Sequence, residues 1–265
     1  MDTTLLSAEV AMEYTPIINF AMQQNHVPVV RHLLVTNNTD ADWHNVRIDI
    51  TAEPDFALPW GTRIEGMAKG AKLELGTIDV ILSTKYLSEL TERVSGAIKL
   101  NVASDDGVLY EKAYKIDVLA YDEWGGMNVL PEMLAAFVTP NHPDTSPIIK
   151  RASAILEKWT GNPSFDEYQT KNPDRAQKQM AAIYEAISER QVVYCSVPAS
   201  FETYGQRVRT IDTVLNQQLG NCLDVTLLYA SCLEAVGLRP ILVVIKGHAF
   251  VGAWLIDEAF ADSIN

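Results

Sequence analysis

The sequence predicts two domains, an all-β domain followed by an α+β domain, and three observations carry that expectation. Up to about residue 121, apolar and polar residues alternate with the period of two that half-buried strands require. Beyond residue 148, apolar residues recur at helical spacing instead. Between the two lie Gly125-Gly126 and a proline-rich stretch from Thr139 to Pro147, the composition of a connection. A chain of 265 residues is long enough for two separate cores.

In the first domain, residues 1–121, Val46, Ile48 and Ile50 alternate with Arg47 and Asp49, and Ile98, Leu100 and Val102 alternate with Lys99 and Asn101. Turn signals separate such runs. Asn37-Asn38-Thr39-Asp40 stands between Leu33–Val35 and Val46–Ile50, and Asp105-Asp106-Gly107 stands between Ile98–Val102 and the run around Tyr114–Val118, which reads as a hairpin. Repeated short antiparallel strands point to an immunoglobulin-like β-sandwich. Residues 122–147 are expected to form a linker holding a short apolar helix around Leu130–Phe137.

The second domain, residues 148–265, opens with a helix from Pro147 to about Trp159. Asn172-Pro173 is a helix cap followed by proline at the first helical position, and Ala176, Met180, Ile183 and Ile187 give the helix that follows one buried face. Gln191–Ser196 reads as a short strand, and Thr210 caps a helix that Gly220 is expected to close. Asn221 caps a further helix, Cys222 to about Val236, ended by Gly237. That helix is apolar on nearly every side, with Asp224 and Glu234 its only charges, so it belongs in the interior. Ile241–Ile245, a Lys246-Gly247 turn and a strand from His248 to Leu255 complete a hairpin.

Composition excludes several function classes. No apolar run approaches the roughly 20 residues of a membrane-spanning helix, so no membrane association is expected. A formal charge of −13 repels phosphate backbones, and no basic stripe is interleaved with aromatics, which argues against direct nucleic-acid binding. The acidic N-terminus lacks a secretory pattern, and three cysteines without a C-x-x-C pair fit a reducing, cytoplasmic compartment. The Asn37-Asn38-Thr39 sequon is then accidental. His26, His32, His44 and His142 show no ligand spacing, so no metal and no cofactor are expected.

Chemistry is concentrated between Gln206 and Trp254. Cys222 falls in the first turn of its helix, where unpaired N–H groups and the positive dipole end favour a thiolate. His248 opens the strand of a hairpin expected to pack on this helix, which would let imidazole and sulfur meet although 26 positions separate them. Each residue alone has an ordinary structural explanation, since free cysteine is among the most buried residue types. Cys232 and Cys195 are expected in the core. Asp224 is expected to serve the helix terminus. Trp254 is expected in the core.

The strings Gly220-Asn221-Cys222-Leu223-Asp224 and Gly247-His248-Ala249-Phe250-Val251 resemble the transglutaminase-like branch of the papain-like cysteine protease superfamily, from about Ile148 onward. The resemblance implies an α+β papain-like fold, Cys222 as nucleophile, His248 as general base, and an oxyanion bound partly by the Cys222 backbone N–H. Gln206, Gln217 and Gln218 are candidates for the second oxyanion donor or for the groove. The wider pattern, with Tyr204-Gly205-Gln206-Arg207-Val208-Arg209, looks like a domain near the start of very large bacterial proteins that also carry superfamily-one helicase regions. On that resemblance the chain is an N-terminal piece of a longer protein, and helicase activity lies elsewhere because no phosphate-binding loop is present. Relatives complete a triad with an acid or Asn on the following strand. Here Asp257 and Asp262 are nominal candidates, and the third member is otherwise expected beyond Asn265. Two functions follow: a cysteine-dependent amide or peptide hydrolase or acyl transferase acting on protein or peptide, or an inactive module that binds protein partners for a larger machine.

Overall fold

A computed structural model describes residues 8–166, 168–195, 205–262 and 264. The chain divides into two compact units, Met1–Glu123 and Trp124–Asn265. The first is β-rich and the second is helical with small sheets. Ser196 and Tyr204, both part of the sequence reading, lie outside the described residues.

In chain order the first unit holds β1 (Ala8–Tyr14), β2 (Ile17–Ile18), α1 (Phe20–Gln24), β3 (Val30–Asn37), β4 (Trp43–Glu53), β5 (Trp60–Met67), β6 (Lys72–Glu74), α2 (Thr84–Glu89), β7 (Val94–Ser104) and β8 (Gly107–Val118). One sheet has the order β1-β3-β6 and the other β2-β8-β7-β4-β5. Period-two burial runs through the larger sheet. Val46, Ile48 and Ile50 are buried, as are Ile98, Leu100 and Val102, and the register sets Ile48 opposite Val102 and Ile50 opposite Leu100. Each such side chain contributes about 1.5–3 kcal/mol of apolar transfer.

The turns form where expected. Asp105 and Asp106 join β7 to β8, with Gly107 at φ +127°. After β3, the buried Asn37 side chain accepts from Thr39 N–H at 3.0 Å and donates to the carbonyls of Ala41 and Met67 at 2.9 and 3.0 Å, fixing the turn. Two short helices were not expected. Asn19 caps α1 by accepting from Met22 N–H at 2.9 Å, and Ser83 caps α2 by accepting from Tyr86 N–H at 3.3 Å. Helices of five and six residues are too short to show a helical period in sequence.

β9 (Glu123–Trp124) lies at the boundary of the units. The second unit then holds a 3-10 helix (Pro131–Phe137), α3 (Thr145–Thr160), α4 (Pro173–Ser188), β10 (Val193–Tyr194), β11 (Gln206–Arg207), α5 (Ile211–Gln217), β12 (Leu219–Gly220), α6 (Cys222–Glu234), β13 (Pro240–Ile245) and β14 (His248–Ala253). Most of the expected linker therefore packs into this unit. Met133 and Leu134 are buried, and Thr139 N–H donates to Ser231 Oγ on α6 at 2.9 Å. Pro147 sits in the third position of α3 rather than at its start, a place where the missing N–H has no partner to lose. α4 begins as expected, Asn172 Oδ1 accepting from Asp174 N–H at 3.0 Å with Pro173 first in the helix.

α5 ends at Gln218, in left-handed conformation at φ +49°, and not at Gly220. Gly220 instead belongs to β12, where a Cβ would stand 3.2 Å from Val225 Cγ2. The core of this unit gathers Ile148, Ile155 and Leu156 of α3, Ile183 and Ile187 of α4, Val214 of α5, and Leu228, Cys232 and Leu233 of α6. α6 is buried on nearly every side, as its composition demands, and the β13–β14 hairpin packs on it.

Candidate functional site

The site is built on the first turn of α6. Asn221 is its N-cap in extended conformation, its Oδ1 accepting from Asp224 N–H at 3.0 Å while Asp224 Oδ2 accepts from Asn221 N–H at 2.9 Å. This reciprocal capping box satisfies two donors that a helix start otherwise leaves without partners. Asp224 does more. Its Oδ1 accepts from Arg209 N–H and its Oδ2 from Arg209 Nη1, both at 2.8 Å, with the carboxylate fully buried. Arg209 is thereby tied to the start of α6. Asp224 has the structural role expected of it, with a partner that the sequence did not reveal.

Cys222 is the first helical residue and is half-buried. Cys195 is half-buried as well, whereas Cys232 is fully buried and its thiol is pushed up to about 12 by that burial. His248 opens β14. Gly247 makes the preceding turn at φ +71°, and β13 and β14 pair from Ile245–His248 to Pro240–Ala253. α6 rises about 20 Å over its length and β13 extends about as far. A short link joins them, and both strands of the hairpin pack on the helix. Along β14, Ala249 is buried and Val251 and Ala253 pack on the helical core, while His248 and Phe250 alternate with them. His248 is exposed and stacks on Phe250, with ring centroids 6.3 Å apart and 28° between planes. Among the described residues no hydrogen bond joins Cys222 to His248.

The sulfur has another neighbour. The parallel β10–β12 pair sets Tyr194 opposite Gly220, and the Tyr194 phenol is a neighbour of the Cys222 sulfur. Its phenol is held above the ordinary range by partial desolvation and by the Cys222 sulfur beside it. Sequence reasoning missed Tyr194, because the contact comes from a two-residue parallel pairing that carries no local pattern.

The three glutamines are not brought together. Gln206, on β11, is buried, and its Oε1 has no hydrogen-bond partner among the described residues. Gln217 is exposed at the end of α5. Gln218 is exposed, donating from Nε2 to Arg190 O at 3.0 Å and accepting Val193 N–H on its carbonyl at 2.8 Å. Of the nominal third members, Asp257 pairs with Arg239 at 2.7 Å and Asp262 lines a 560 Å³ concavity with Trp254 and Phe260. Among the described residues no cluster of three or more His, Cys, Asp or Glu is placed to hold a metal ion, and no helix is long and apolar enough to cross a membrane.

No protein-family model matches the chain, and no curated protein matches it. Among solved structures it is similar to a Salmonella alpha-2-macroglobulin mutant, Y1175G, at 14% identity and TM-score 0.29, over 86% of this chain and 16% of that one. It is also similar to a native Escherichia coli alpha-2-macroglobulin spanning domain MG7 to the C-terminus, at 13% identity and TM-score 0.28, over 87% of this chain and 42% of that one. The chain thus spans less than half the length of either. Likeness at these scores carries no argument about fold or function.

Proposed function

We propose that the C-terminal unit is a transglutaminase-like, papain-like domain whose thiol site hydrolyses or transfers the acyl group of an amide or peptide bond, with protein or peptide as substrate. The supporting observation is Cys222 itself: a half-buried sulfur on the first residue of a capped interior helix, on which the hairpin bearing His248 packs. In this chemistry the thiol proton passes to the imidazole, the sulfur adds to the carbonyl carbon, and the amine leaves with the proton from the imidazolium. Water or a second amine then takes the acyl group. The Cys–His hydrogen bond closes when substrate is bound, as such contacts commonly do. The N-terminal unit is read as an immunoglobulin-like sandwich, and the chain as part of a larger, helicase-containing bacterial protein.

Chemical labelling tests this. At near-neutral pH, limiting iodoacetamide should modify Cys222 ahead of Cys195 and Cys232, and His248→Ala should slow that reaction. Equally slow labelling of Cys222 and Cys195 sinks the proposal.

A protein-binding module without catalysis is the second reading, favoured by the stacking of an exposed His248 on Phe250, with no hydrogen bond between His248 and Cys222 among the described residues. It predicts Cys222 labelling that His248→Ala leaves unchanged.

A further inference from the structure

β13 has the composition of a strand covered on both faces and the surroundings of an edge. Pro240 to Ile245 is an unbroken apolar run, the pattern of strands buried within a sheet. Every residue of the run is nevertheless partly exposed, Ile245 at 51%, and among the described residues β13 pairs with β14 alone. Such an edge is a template for a further strand.

The register shows which main-chain groups it offers. In an antiparallel pair, opposed residues alternate between those that exchange hydrogen bonds and those whose N–H and C=O point away from the partner. Trp254 N–H donates to Arg239 O at 3.1 Å, so Arg239 and Trp254 are of the first kind. The same parity carries to Ile241–Gly252, Val243–Phe250 and Ile245–His248, the last closing the Lys246-Gly247 turn. Leu242 and Val244 are therefore of the second kind. Their N–H and C=O groups point outward from β14, and among the described residues no hydrogen bond is made to them.

Two adjoining concavities of 560 and 330 Å³ lie against this strand, sharing Ala135, Arg239, Pro240 and Leu242, and both belong to the C-terminal unit. Their apolar lining fits alternate side chains of an extended segment. Their charge is acidic: Glu132 and Asp262 line the larger and Glu234 the smaller, while Arg239, the lining cation among the described residues, is already paired with Asp257 at 2.7 Å. A second copy of the chain would set the same acids against these, so like charge opposes self-pairing and favours a basic partner.

We propose that β13 is a docking edge for an extended basic segment of a partner protein, which adds as a third strand by pairing with Leu242 and Val244. Main-chain bonds supply affinity, apolar side chains enter the concavities, and Lys or Arg of the segment meets Glu132, Asp262 or Glu234. This surface is independent of whether Cys222 reacts.

The test uses the full chain and the fluorescein-labelled peptide Lys-Val-Thr-Ile-Thr-Val-Lys. Fluorescence anisotropy should show saturable binding, weakened at least about tenfold when both lysines are replaced by glutamate. In the complex, amide exchange followed by NMR should slow at least about tenfold at Leu242 and Val244, and change little at Ile241 and Val243, which are already bonded to β14. Absence of binding, equal affinity for the glutamate peptide, or binding that leaves Leu242 and Val244 unprotected overturns the proposal. Protection of those two amides before peptide is added overturns it as well, and sedimentation then tells whether a second copy or the chain itself covers the edge.

Discussion

Arg209 holds Asp224 with both its backbone N–H and its guanidinium, each at 2.8 Å, while the same carboxylate caps the helix that begins at Cys222. One buried acid therefore fixes two chain segments. Asp224→Ala removes the cap and leaves Arg209 without its partner, and should cost about 3 kcal/mol in urea unfolding followed in the C-terminal unit. Arg209→Ala should cost less, because the guanidinium is partly exposed. The double variant should lose less than the sum, by about 1 kcal/mol or more. Additive losses would mean that the pair is not coupled.

The open end of the β13–β14 hairpin is closed by one phenol. Tyr168 Oη donates to Trp254 O at 2.9 Å and accepts from Arg239 N–H at 3.0 Å, next to the backbone bond from Trp254 N–H to Arg239 O at 3.1 Å. Tyr168→Phe takes a partner from two main-chain groups and should destabilise by about 1–2 kcal/mol. Amide hydrogen exchange at Arg239 should accelerate correspondingly, and unchanged exchange there would refute the closure.

At the other end, Gly247 turns at φ +71°, a conformation that side chains with a Cβ resist. Gly247→Ala should cost about 1 kcal/mol, and Gly247→Asn less, since asparagine tolerates left-handed backbone. No atom stands within 4 Å of an added Cβ, so the penalty is conformational rather than steric. Thermal melts of the two variants decide this, and an alanine variant as stable as the parent contradicts it.

Burial of Cys232 makes alkaline stability a measurable property. Its thiol is raised from 9.0 to about 12, so between those values the unfolded chain releases a proton that the folded chain keeps. Stability is then full below about pH 9 and falls as pH rises, with a limiting slope of about 1.4 kcal/mol per unit for this group. Tyr229, raised by burial from 10.0 to about 12, adds a fall of the same sign. Cys232→Ala should flatten the decline above pH 9 while lowering stability at neutral pH. An unaltered alkaline slope would exclude Cys232 as its source.

What the sequence made legible follows from where the determining interactions lie along the chain. The strands around Ile48 and Leu100, the Asn172-Pro173 start of α4 and the Asn221 cap of α6 are local patterns, and each is where the residues placed it. The position of Cys222 in the first turn of α6 was legible for the same reason. The Arg209–Asp224 pair, the Tyr194 contact and the packing of Thr139 on Ser231 join residues 15, 28 and 92 positions apart, and no period within a window reports them. Gly220 shows how tertiary pairing overrides a local rule: read as a helix stop, it serves as the bare position of a strand pair, and the helix stops on Gln218 instead.

The division at Glu123 also has an optical consequence. Trp43 is buried in the N-terminal unit, and Trp124 is buried in the C-terminal one, so each core contains its own intrinsic fluorophore. Replacing Trp43 and Trp60 by phenylalanine leaves Trp124, Trp159 and Trp254, all in the unit bearing Cys222. With that background, loosening of the helix that begins at Cys222 becomes visible as a shift in emission wavelength, free of the signal from the β-rich half.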